Sequence, residues 1–426
     1  MTVLMICVFG LFAFAGMPLA FALGFASLVA IFVADFELVM LAQRMLHAVD
    51  NFPLMAIPLF MLAGELMVKG GMMVQLVNFA NSLVGRVHGG LAHVTIISGT
   101  ILASVSGAAV ASASALGSAQ VPELRKHYPD SFNCAVIASA ANLGPVIPPS
   151  NAMIVYALMA GSSVSIGGLF MAGIVPGLLL AAGFIFIASF ISWKRKYPPT
   201  GESFNLRNAA IQFRKAYLIL FMPIIVVGGI IGGVFTATEG AAIAVMYSAL
   251  VGLFVTRKLR FADLPNCLFR AAVTASMVGA LIAFAATVTF LLTIDMVPQQ
   301  LADIVKNMTS DPLVFVMITM VLLVIVGMFL ESNAAYIMLV PLFVPIADAF
   351  GLDPLWFGFI FMFNLVIGMM TPPVGVLYFV MSGITRVPMG DIIRESMPFV
   401  VFQFALLLLC VTFPSIVTTL PHALGF

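Results

Sequence analysis

The sequence predicts an all-α, polytopic membrane protein built from two inverted repeats, and three observations lead to this prediction. Of the 426 residues, 62% are hydrophobic and only 8% are charged, so a soluble fold would lack a polar surface. Apolar runs of about 17 to 30 residues recur along the chain, which is typical of membrane helices rather than of barrel strands. Two of these runs, 131–160 and 354–381, are interrupted near their centres by the same pattern, Gly-x3-Pro-Pro.

The two interruptions make each of these segments a discontinuous helix. One reads Gly144-Pro145-Val146-Ile147-Pro148-Pro149-Ser150, and the other, 224 positions later, reads Gly368-Met369-Met370-Thr371-Pro372-Pro373-Val374-Gly375. Lipid cannot satisfy the backbone groups that such a break frees, so the opened turn must be buried in protein or must line an aqueous site. Matched breaks in two halves of a membrane protein indicate an ion and substrate site, as in secondary transporters.

In chain order, the candidate membrane segments lie near 2–34, 53–68, 89–121, 131–160, 166–192, 216–235, 238–256, 267–297, 312–347, 354–381 and 396–418. The first is long for one span, and Gly16-Met17-Pro18 could divide it in two. Because it has no basic start, we expect it to be a retained membrane segment and not a cleaved signal peptide. The predicted divisions are a first repeat (1–195), a cytoplasmic loop (196–215), a linker helix (216–235) and a second repeat (236–426).

The distribution of basic residues predicts that 89–121 and 312–347 are re-entrant hairpins. If each hairpin enters and leaves the membrane on a single side, 16 of the 18 Lys and Arg residues fall on the same face of the membrane. These are Lys69, Arg86, Arg125, Lys126, Arg386, Arg394, six in 193–215 and four in 257–270, and only Arg44 and Lys306 lie opposite. By the positive-inside rule this face is cytoplasmic. Both ends of the first hairpin therefore lie at the cytoplasmic face, and both ends of the second lie at the outer face.

The repeat extends beyond the breaks. Offsets of 222 to 224 relate Pro122, Gly144, Pro148, Pro149, Gly161, Gly167 and Pro176 to Pro345, Gly368, Pro372, Pro373, Gly383, Gly390 and Pro398. Since the hairpins open on opposite faces, the repeats are inverted. The amphipathic stretches 72–88 and 298–310 precede the hairpins and either lie along the membrane interface as arms or are ordinary connectors.

The breaks also supply the candidate site residues. Proline frees a carbonyl one turn back and glycine lets the chain open, so carbonyls and hydroxyls there can form an oxygen cage for a sodium-like cation. The N-terminus of the following half-helix favours an anion. The candidates are Asn142, Gly144, Ile147, Pro149 and Ser150 at the first break, and Asn364, Gly368, Thr371 and Val374 at the second. The candidate substrate-binding residues are Asn142, Ser150, Ser332, Asn333 and Asn364.

Two hairpin tips add further candidates. The first tip is expected at Ser104-Val105-Ser106-Gly107, where the two hydroxyls are either cation ligands or packing groups. The second is expected near 327–333, where Glu331, Ser332 and Asn333 would lie deep between apolar helices. There Ser332 or Asn333 could instead cap the second hairpin helix.

Other classes of function find little support in the sequence. It contains no HExxH, GxSxG or P-loop motif, and its five histidines and four cysteines show no metal-ligand spacing. We therefore predict no catalytic residue and no direct use of ATP. A net charge of +1 gives no basis for a nucleic-acid partner. Asp295 and Asp391 are interpreted as interface residues in preference to a proton relay.

The segments 144–150, Leu169-Phe170-Met171-Ala172-Gly173-Ile174-Val175-Pro176-Gly177 and 371–375 resemble the large membrane subunit of the tripartite ATP-independent periplasmic (TRAP) transporters. The likeness covers essentially the whole chain. It implies a multi-pass protein of the bacterial inner membrane, with a scaffold domain and a transport domain that moves as an elevator. It also implies sodium-driven uptake of an organic acid, which a periplasmic binding protein delivers. The small four-helix membrane subunit is expected to be a separate chain.

The resemblance further implies two sodium sites. One maps onto Ser104, Ser106, Gly144, Ile147 and Pro149, and the other onto Gly327, Gly368 and Thr371. The predicted function is sodium-coupled import of a carboxylate of the sialic acid or C4-dicarboxylate type. The alternative is a stand-alone ion-coupled carboxylate carrier or antiporter that works without a binding protein. Composition and periodicity alone support only a secondary transporter with inverted repeats.

Overall fold

A computed structural model describes residues 1–84, 87–200, 204–309 and 311–426, without the side chains of 103–106, 162, 200, 306 and 308. Arg86 and the side chains of Ser104, Ser106 and Lys306 therefore lie outside the described part of the chain. The described residues fold into twenty α-helices joined by short connectors. Eight helical segments in the described ranges are long and apolar enough to cross a membrane. The predicted all-α membrane fold is confirmed.

The helices of the first half are α1 Thr2–Phe14, α2 Leu19–Val33, α3 Val39–Val49, α4 Ala56–Lys69, α5 Met72–Val84, α6 Gly90–Ser106, α7 Ala109–Leu124, α8 Asp130–Ala141, α9 Asn151–Ala160 and α10 Ile166–Lys194. Those of the second half are α11 Leu206–Ile231, α12 Ala237–Leu250, α13 Leu264–Ile294, α14 Val297–Met308, α15 Pro312–Phe329, α16 Ser332–Ala349, α17 Pro354–Gly368, α18 Val376–Thr385, α19 Met389–Thr412 and α20 Ser415–Ala423. Two short strands, β1 Val87–His88 and β2 Pro199–Thr200, pair antiparallel with Val87 opposite Thr200.

The helix pairs and the discontinuous helices lie where the sequence predicts them, and the re-entrance of the two pairs stays a prediction. The first hairpin is α6–α7, which turns at 107–108, and the second is α15–α16, which turns at 330–331. The first broken helix consists of α8 and α9, and the second of α17 and α18. The Pro148-Pro149 and Pro372-Pro373 peptide bonds are both cis. The stretch 2–34 forms two short helices, and Met17 and Pro18 lie in the turn between them.

Two predicted segments differ in extent from the helices of the structure, and α19 also begins at Met389 and not at 396. The linker helix α11 begins at Leu206, so the second half of the predicted loop 196–215 is helical. Asn205 explains this start, because its side chain accepts a hydrogen bond of 2.9 Å from the backbone N–H of Arg207. The predicted segment 396–418 is also two helices, since α19 ends at Thr412, before Pro414, and α20 follows.

Contacts between connectors agree with the predicted cytoplasmic face. The Lys69 ammonium lies 3.6 Å from the Asp263 carboxylate, and the Arg195 guanidinium lies 2.8 Å from that of Glu395. Arg125 donates a hydrogen bond of 3.1 Å to the Thr385 carbonyl. Each pair joins two connectors or helix ends that the charge distribution assigns to the same side. Arg195 also shows that the loop after α10 lies beside the start of α19.

Contacts at the opposite end of the helices agree with the predicted outer face. The Asp295 carboxylate accepts hydrogen bonds from the Thr2 N–H (2.8 Å) and from its hydroxyl (2.6 Å). The hydrogen bond from the Thr2 hydroxyl, followed by that from the Thr2 N–H, lowers the pKa of Asp295 below its ordinary value of 3.8. His422 lies 3.1 Å from the Asp353 carboxylate at the same end. Asp295 therefore anchors α1 to the end of α13, which fits its interpretation as an interface residue.

The first halves of both broken helices, α8 and α17, lie in the buried core. In α17 every residue from Leu355 to Gly368 is buried, so no face of this helix is left for lipid. In α8 ten consecutive residues from Phe132 to Ala141 are buried. The hairpins enclose these helices in a crossed arrangement: α6 packs on α8 and α16 on α9, while α15 packs on α17 and α7 on α18. Each hairpin thus contacts one half of both broken helices.

Candidate functional site

The first break is a fully buried turn that the first hairpin tip touches directly. All residues from Asn142 to Ser150 are buried. Gly107, at the hairpin turn, has φ +58°, and a Cβ placed there would lie 2.7 Å from the backbone nitrogen of Asn151 and 3.3 Å from the Pro149 carbonyl oxygen. Only glycine fits such an approach without displacing the backbone. The hairpin turn is therefore seated on the break.

Gly144 completes this contact from the other side. A Cβ on Gly144 would lie 3.4 Å from the carbonyl carbon of Ala108, the second residue of the hairpin turn. Gly144, Ile147 and Pro149, three of the residues predicted for the first sodium site, therefore occupy one buried turn. Ser104 and Ser106 belong to the last turn of α6, immediately before Gly107.

Ser150 has a structural role within the first break. Its hydroxyl donates a hydrogen bond of 2.6 Å to the Pro145 carbonyl and accepts one of 3.4 Å from the Met153 N–H. The first bond closes the turn, and the second caps the N-terminus of α9. The sequence predicts that Ser150 binds substrate. In the structure its hydroxyl proton is already donated to the Pro145 carbonyl, so only the hydroxyl oxygen could accept a further bond.

The second break is built around a contact between two glycines. A Cβ on Gly368 would lie 2.6 Å from both the Cα and the carbonyl carbon of Gly327, in the last turn of α15. Thr371, within the break, donates a hydrogen bond of 2.8 Å from its hydroxyl to the Ile367 carbonyl. The Tyr378 hydroxyl donates to the Met370 carbonyl. Gly327, Gly368 and Thr371, predicted as the second sodium site, are therefore brought together.

The two breaks are related but not identical. The first hairpin touches its break with the turn itself, whereas the second does so through Gly327, three residues before its turn. The first break is buried throughout, whereas Pro373 in the second is exposed and Val374 is half-buried. The second break is therefore the more accessible of the two in this conformation.

Asn142 connects the two breaks. Its amide group donates to the Val366 carbonyl (3.1 Å) and to the Gln403 side-chain carbonyl (2.8 Å). The Gln403 amide in turn lies 3.6 Å from the sulfur of Met370, inside the second break. Asn142 and Gln403 are both completely buried. A chain of polar contacts through α19 thus runs from one break to the other.

Gln403 is a site residue that the sequence analysis does not identify. The available signal is its position as the single amide in the apolar run from Phe399 to Val411. A buried polar side chain among apolar helices is expensive unless it has a partner, so such a residue marks a contact. Its partner Asn142 is 261 positions away, and only the fold shows the pairing.

Asn364 holds the second broken helix to its hairpin. Its amide donates a hydrogen bond of 2.9 Å to the Met320 carbonyl on α15. The side-chain oxygens of both Asn364 and Asn142 are buried and have no hydrogen-bond partner among the described residues. The side-chain oxygen of each asparagine is thus a hydrogen-bond acceptor that no described residue uses. Acceptors suit a cation or a ligand hydroxyl, and they do not suit a carboxylate.

The tip of the second hairpin differs from the sequence prediction. Glu331, and not Ser332 or Asn333, is the N-cap of α16. Its carboxylate accepts hydrogen bonds from the Asn333 N–H (3.0 Å), the Ala334 N–H (3.4 Å) and the Asn333 side-chain amide (2.9 Å). A carboxylate at this position satisfies free N–H groups and suits the positive end of the helix dipole. The side-chain amide of Asn333 is thus committed within the tip.

The chemistry of the breaks suits a hard monovalent cation. The groups that the two breaks bring together are backbone carbonyls and the Thr371 hydroxyl, all neutral oxygen ligands. Oxygen ligands are those that hard cations prefer. No cluster of three His, Cys, Asp or Glu side chains occurs in the ranges that the structure covers. The residues present therefore fit sodium as a ligand.

Comparisons with known proteins identify the relatives of this chain. Residues 5–416 match the family described as "Tripartite ATP-independent periplasmic transporter, DctM component". The chain is 36% identical to the C4-dicarboxylate TRAP transporter large permease protein DctM of Pseudomonas aeruginosa, with 90% of each chain covered. It is 35% identical to the sialic acid TRAP transporter large permease protein SiaM of Vibrio cholerae serotype O1, with 96% of each covered.

A solved structure shares the fold. The Alcanivorax borkumensis YdaH transporter, whose crystal structure shows an unusual topology, aligns with a TM-score of 0.66 over 88% of this chain and 87% of its own. The sequences are 15% identical, so the likeness concerns the fold alone.

Proposed function

This chain belongs to the DctM component family of the tripartite ATP-independent periplasmic transporters, and from that premise we propose that it imports an organic acid in symport with sodium. Membership makes it a large permease subunit of an inner-membrane transporter and not an enzyme. The sodium coupling, the elevator movement and the kind of substrate are the content of the proposal. The partners proposed are a small four-helix membrane subunit and a periplasmic substrate-binding protein.

The observation that carries the proposal is the pair of breaks, each of which is in backbone contact with a hairpin: the first with Gly107 and the second with Gly327. Gly144, Ile147 and Pro149 would offer backbone oxygens to one sodium ion beside Ser104 and Ser106. Gly327, Gly368 and Thr371 would do so for the other. Sodium would supply a formal positive charge that no side chain in either break carries. A hairpin seated on each break can then close over an occupied site and open from an empty one.

The proposed substrate is a carboxylate of the sialic acid or C4-dicarboxylate type. The named relatives from Vibrio cholerae and Pseudomonas aeruginosa point to these two classes. The N-termini of α9 and α18 follow the breaks and present the positive ends of their dipoles there, which favours an anion. The free oxygens of Asn142 and Asn364 would accept hydrogen bonds from substrate hydroxyls.

The proposed movement is that of an elevator. The two hairpins and the two broken helices pack on one another in the crossed arrangement and would move together as the transport domain. The long helix α11 lies between the repeats and packs on α12, which in turn packs on α4. These helices would form part of the scaffold against which the transport domain slides.

Uptake into proteoliposomes tests the proposal. Vesicles would contain this chain with the small membrane subunit, and labelled sialic acid or succinate would be supplied with or without the binding protein. We expect uptake only under an inward sodium gradient and only with the binding protein. Sodium-driven uptake without the binding protein would instead support the stand-alone carrier. Uptake that ignores the sodium gradient would contradict the coupling in both forms.

A further inference from the structure

A groove between α10 and α19 lies outside the candidate transport site. The two helices touch at two levels. A Cβ on Gly183 would lie 2.0 Å from ring atoms of Phe402, and the Phe184 and Phe399 rings meet edge to face at 5.6 Å between centroids. About three turns further along α10, Arg195 pairs with Glu395. Between these contacts the helices leave a groove of about 460 Å³.

The groove is apolar along its length and positively charged at one end. Its wall is formed by Phe186, Ile187, Phe190, Ile191 and Pro398, and its rim by Lys194, Arg195, Arg394 and Glu395. Phe186 and Phe190 are 71% and 51% exposed, so the wall faces outward from the helix bundle. The rim residues lie at the C-terminal end of α10 and near the start of α19, on the predicted cytoplasmic side, where the lipid headgroups are expected.

The charge at the rim is only partly neutralised within the protein. Arg195 and Glu395 compensate each other through their ion pair of 2.8 Å. Lys194 and Arg394 are exposed, and neither has an ion-pair partner in the described part of the chain. The rim therefore presents two uncompensated positive charges directly below an apolar wall.

We propose that this groove binds one anionic phospholipid of the cytoplasmic leaflet. Its phosphate would lie between Lys194 and Arg394, and an acyl chain would lie along Phe186 and Phe190. Basic pockets between membrane helices on the cytoplasmic side suit such headgroups. A free phosphate ion would use only the rim, so the apolar wall favours a lipid. The bound lipid would fill the space between two helices that both pack on the broken helices. The inference does not depend on the sodium coupling or on the substrate.

Lipid titration of the purified full-length chain, followed by native mass spectrometry, tests this proposal. The probes are phosphatidylglycerol, zwitterionic phosphatidylcholine and inorganic phosphate. We expect phosphatidylglycerol to be retained over phosphatidylcholine, and the variant Lys194→Gln/Arg394→Gln to lose most of that preference, roughly five-fold for each cation. Lys215→Gln, which removes a cytoplasmic charge outside the groove, should retain it. Equal retention by the wild type and the double variant would overturn the proposal.

A second variant distinguishes the sources of phosphate. Ile187→Trp fills the apolar wall and leaves the rim intact, so it should abolish phosphatidylglycerol binding. If phosphatidylglycerol still binds to it, or if inorganic phosphate alone displaces the lipid, the groove is an anion site and not a lipid site. Displacement of the lipid by the small membrane subunit would likewise overturn the proposal in favour of a protein interface. The double variant tests the proposal independently if Ile187→Trp does not fold.

Discussion

At the scale of single residues, the contact between Gly327 and Gly368 controls how closely the second hairpin approaches its break. Since a Cβ on Gly368 would lie 2.6 Å from backbone atoms of Gly327, the Gly368→Ala variant must move the hairpin away. We expect it to lower the free energy of unfolding by about 1–3 kcal/mol, the usual cost of overpacking, and to abolish transport. A thermal unfolding assay in detergent, combined with uptake, measures both effects.

Gly383 provides the matched control for this substitution. It lies in α18, and a Cβ there would meet no atom within 4 Å. Gly383→Ala should leave transport unchanged and should raise stability by about 0.5–1 kcal/mol through helix propensity. If both variants behaved alike, close packing of the hairpin on the break would not be what the site requires.

The contact between Asn142 and Gln403 makes a second prediction. Asn142→Leu and Gln403→Leu each remove the hydrogen bond between these side chains and leave the remaining amide with a buried group unsatisfied, at a cost of about 1–3 kcal/mol. The double variant should cost less than the sum of the two, because the stranded partner is also removed. Ser139→Ala is the control, since the Ser139 hydroxyl donates its hydrogen bond within its own helix, to the Ala135 carbonyl. Strict additivity in a double-mutant cycle would show that the two side chains do not interact.

Residue-scale detail shows where sequence information ends. Gly144, Gly368 and Thr371 can be identified because a broken apolar segment marks its own glycines, prolines and hydroxyls. The partner of Asn142 and the cap at Glu331 cannot, because both depend on which atoms the fold brings within hydrogen-bonding distance. Ser332 and Asn333 are equally plausible caps by composition, and only the geometry of the turn selects Glu331.

At the scale of elements, the re-entrant hairpins are the feature most open to direct test. Single cysteines at Asp311 and Asp348, near the two ends of α15–α16, should both react with a membrane-impermeant maleimide applied from outside. Cysteines at His88 and Lys126, near the ends of α6–α7, should react only after the membrane is permeabilised. The background for each is a variant in which the four native cysteines are replaced. If Asp311 and Asp348 were labelled from opposite sides, the second hairpin would span the membrane.

Element boundaries were predictable where an apolar run ends at a charge or a proline. The hairpins, the broken helices and the division of 2–34 at Gly16-Met17-Pro18 follow from such signals. The early start of α11 was not predicted, because a single cap at Asn205 overrides the polar composition of 206–215. The end of α19 does not follow from these signals, because the apolar run continues past Pro414, after which a further helix begins.

At the scale of the whole molecule, the inverted repeats explain why both breaks belong to one unit. Each hairpin packs on a half of both broken helices, and the contacts of Asn142 and Gln403 tie one break to the other. Direct contacts therefore join the two breaks. The sequence repeat predicts the symmetry of this arrangement. It does not predict the crossed packing, because that depends on how the two halves come together.

Equilibrium binding of radioactive sodium to the purified chain tests the central claim, that the breaks are cation sites, without knowledge of substrate or partners. We expect saturable binding by the wild type and a loss of at least one site in Thr371→Ala. Thr412→Ala is the control. Like the Thr371 hydroxyl, the exposed Thr412 hydroxyl donates a hydrogen bond to the carbonyl four residues earlier (2.9 Å), but Thr412 lies outside both breaks. Sodium binding that is unchanged in Thr371→Ala, or absent from the wild type, would contradict the account.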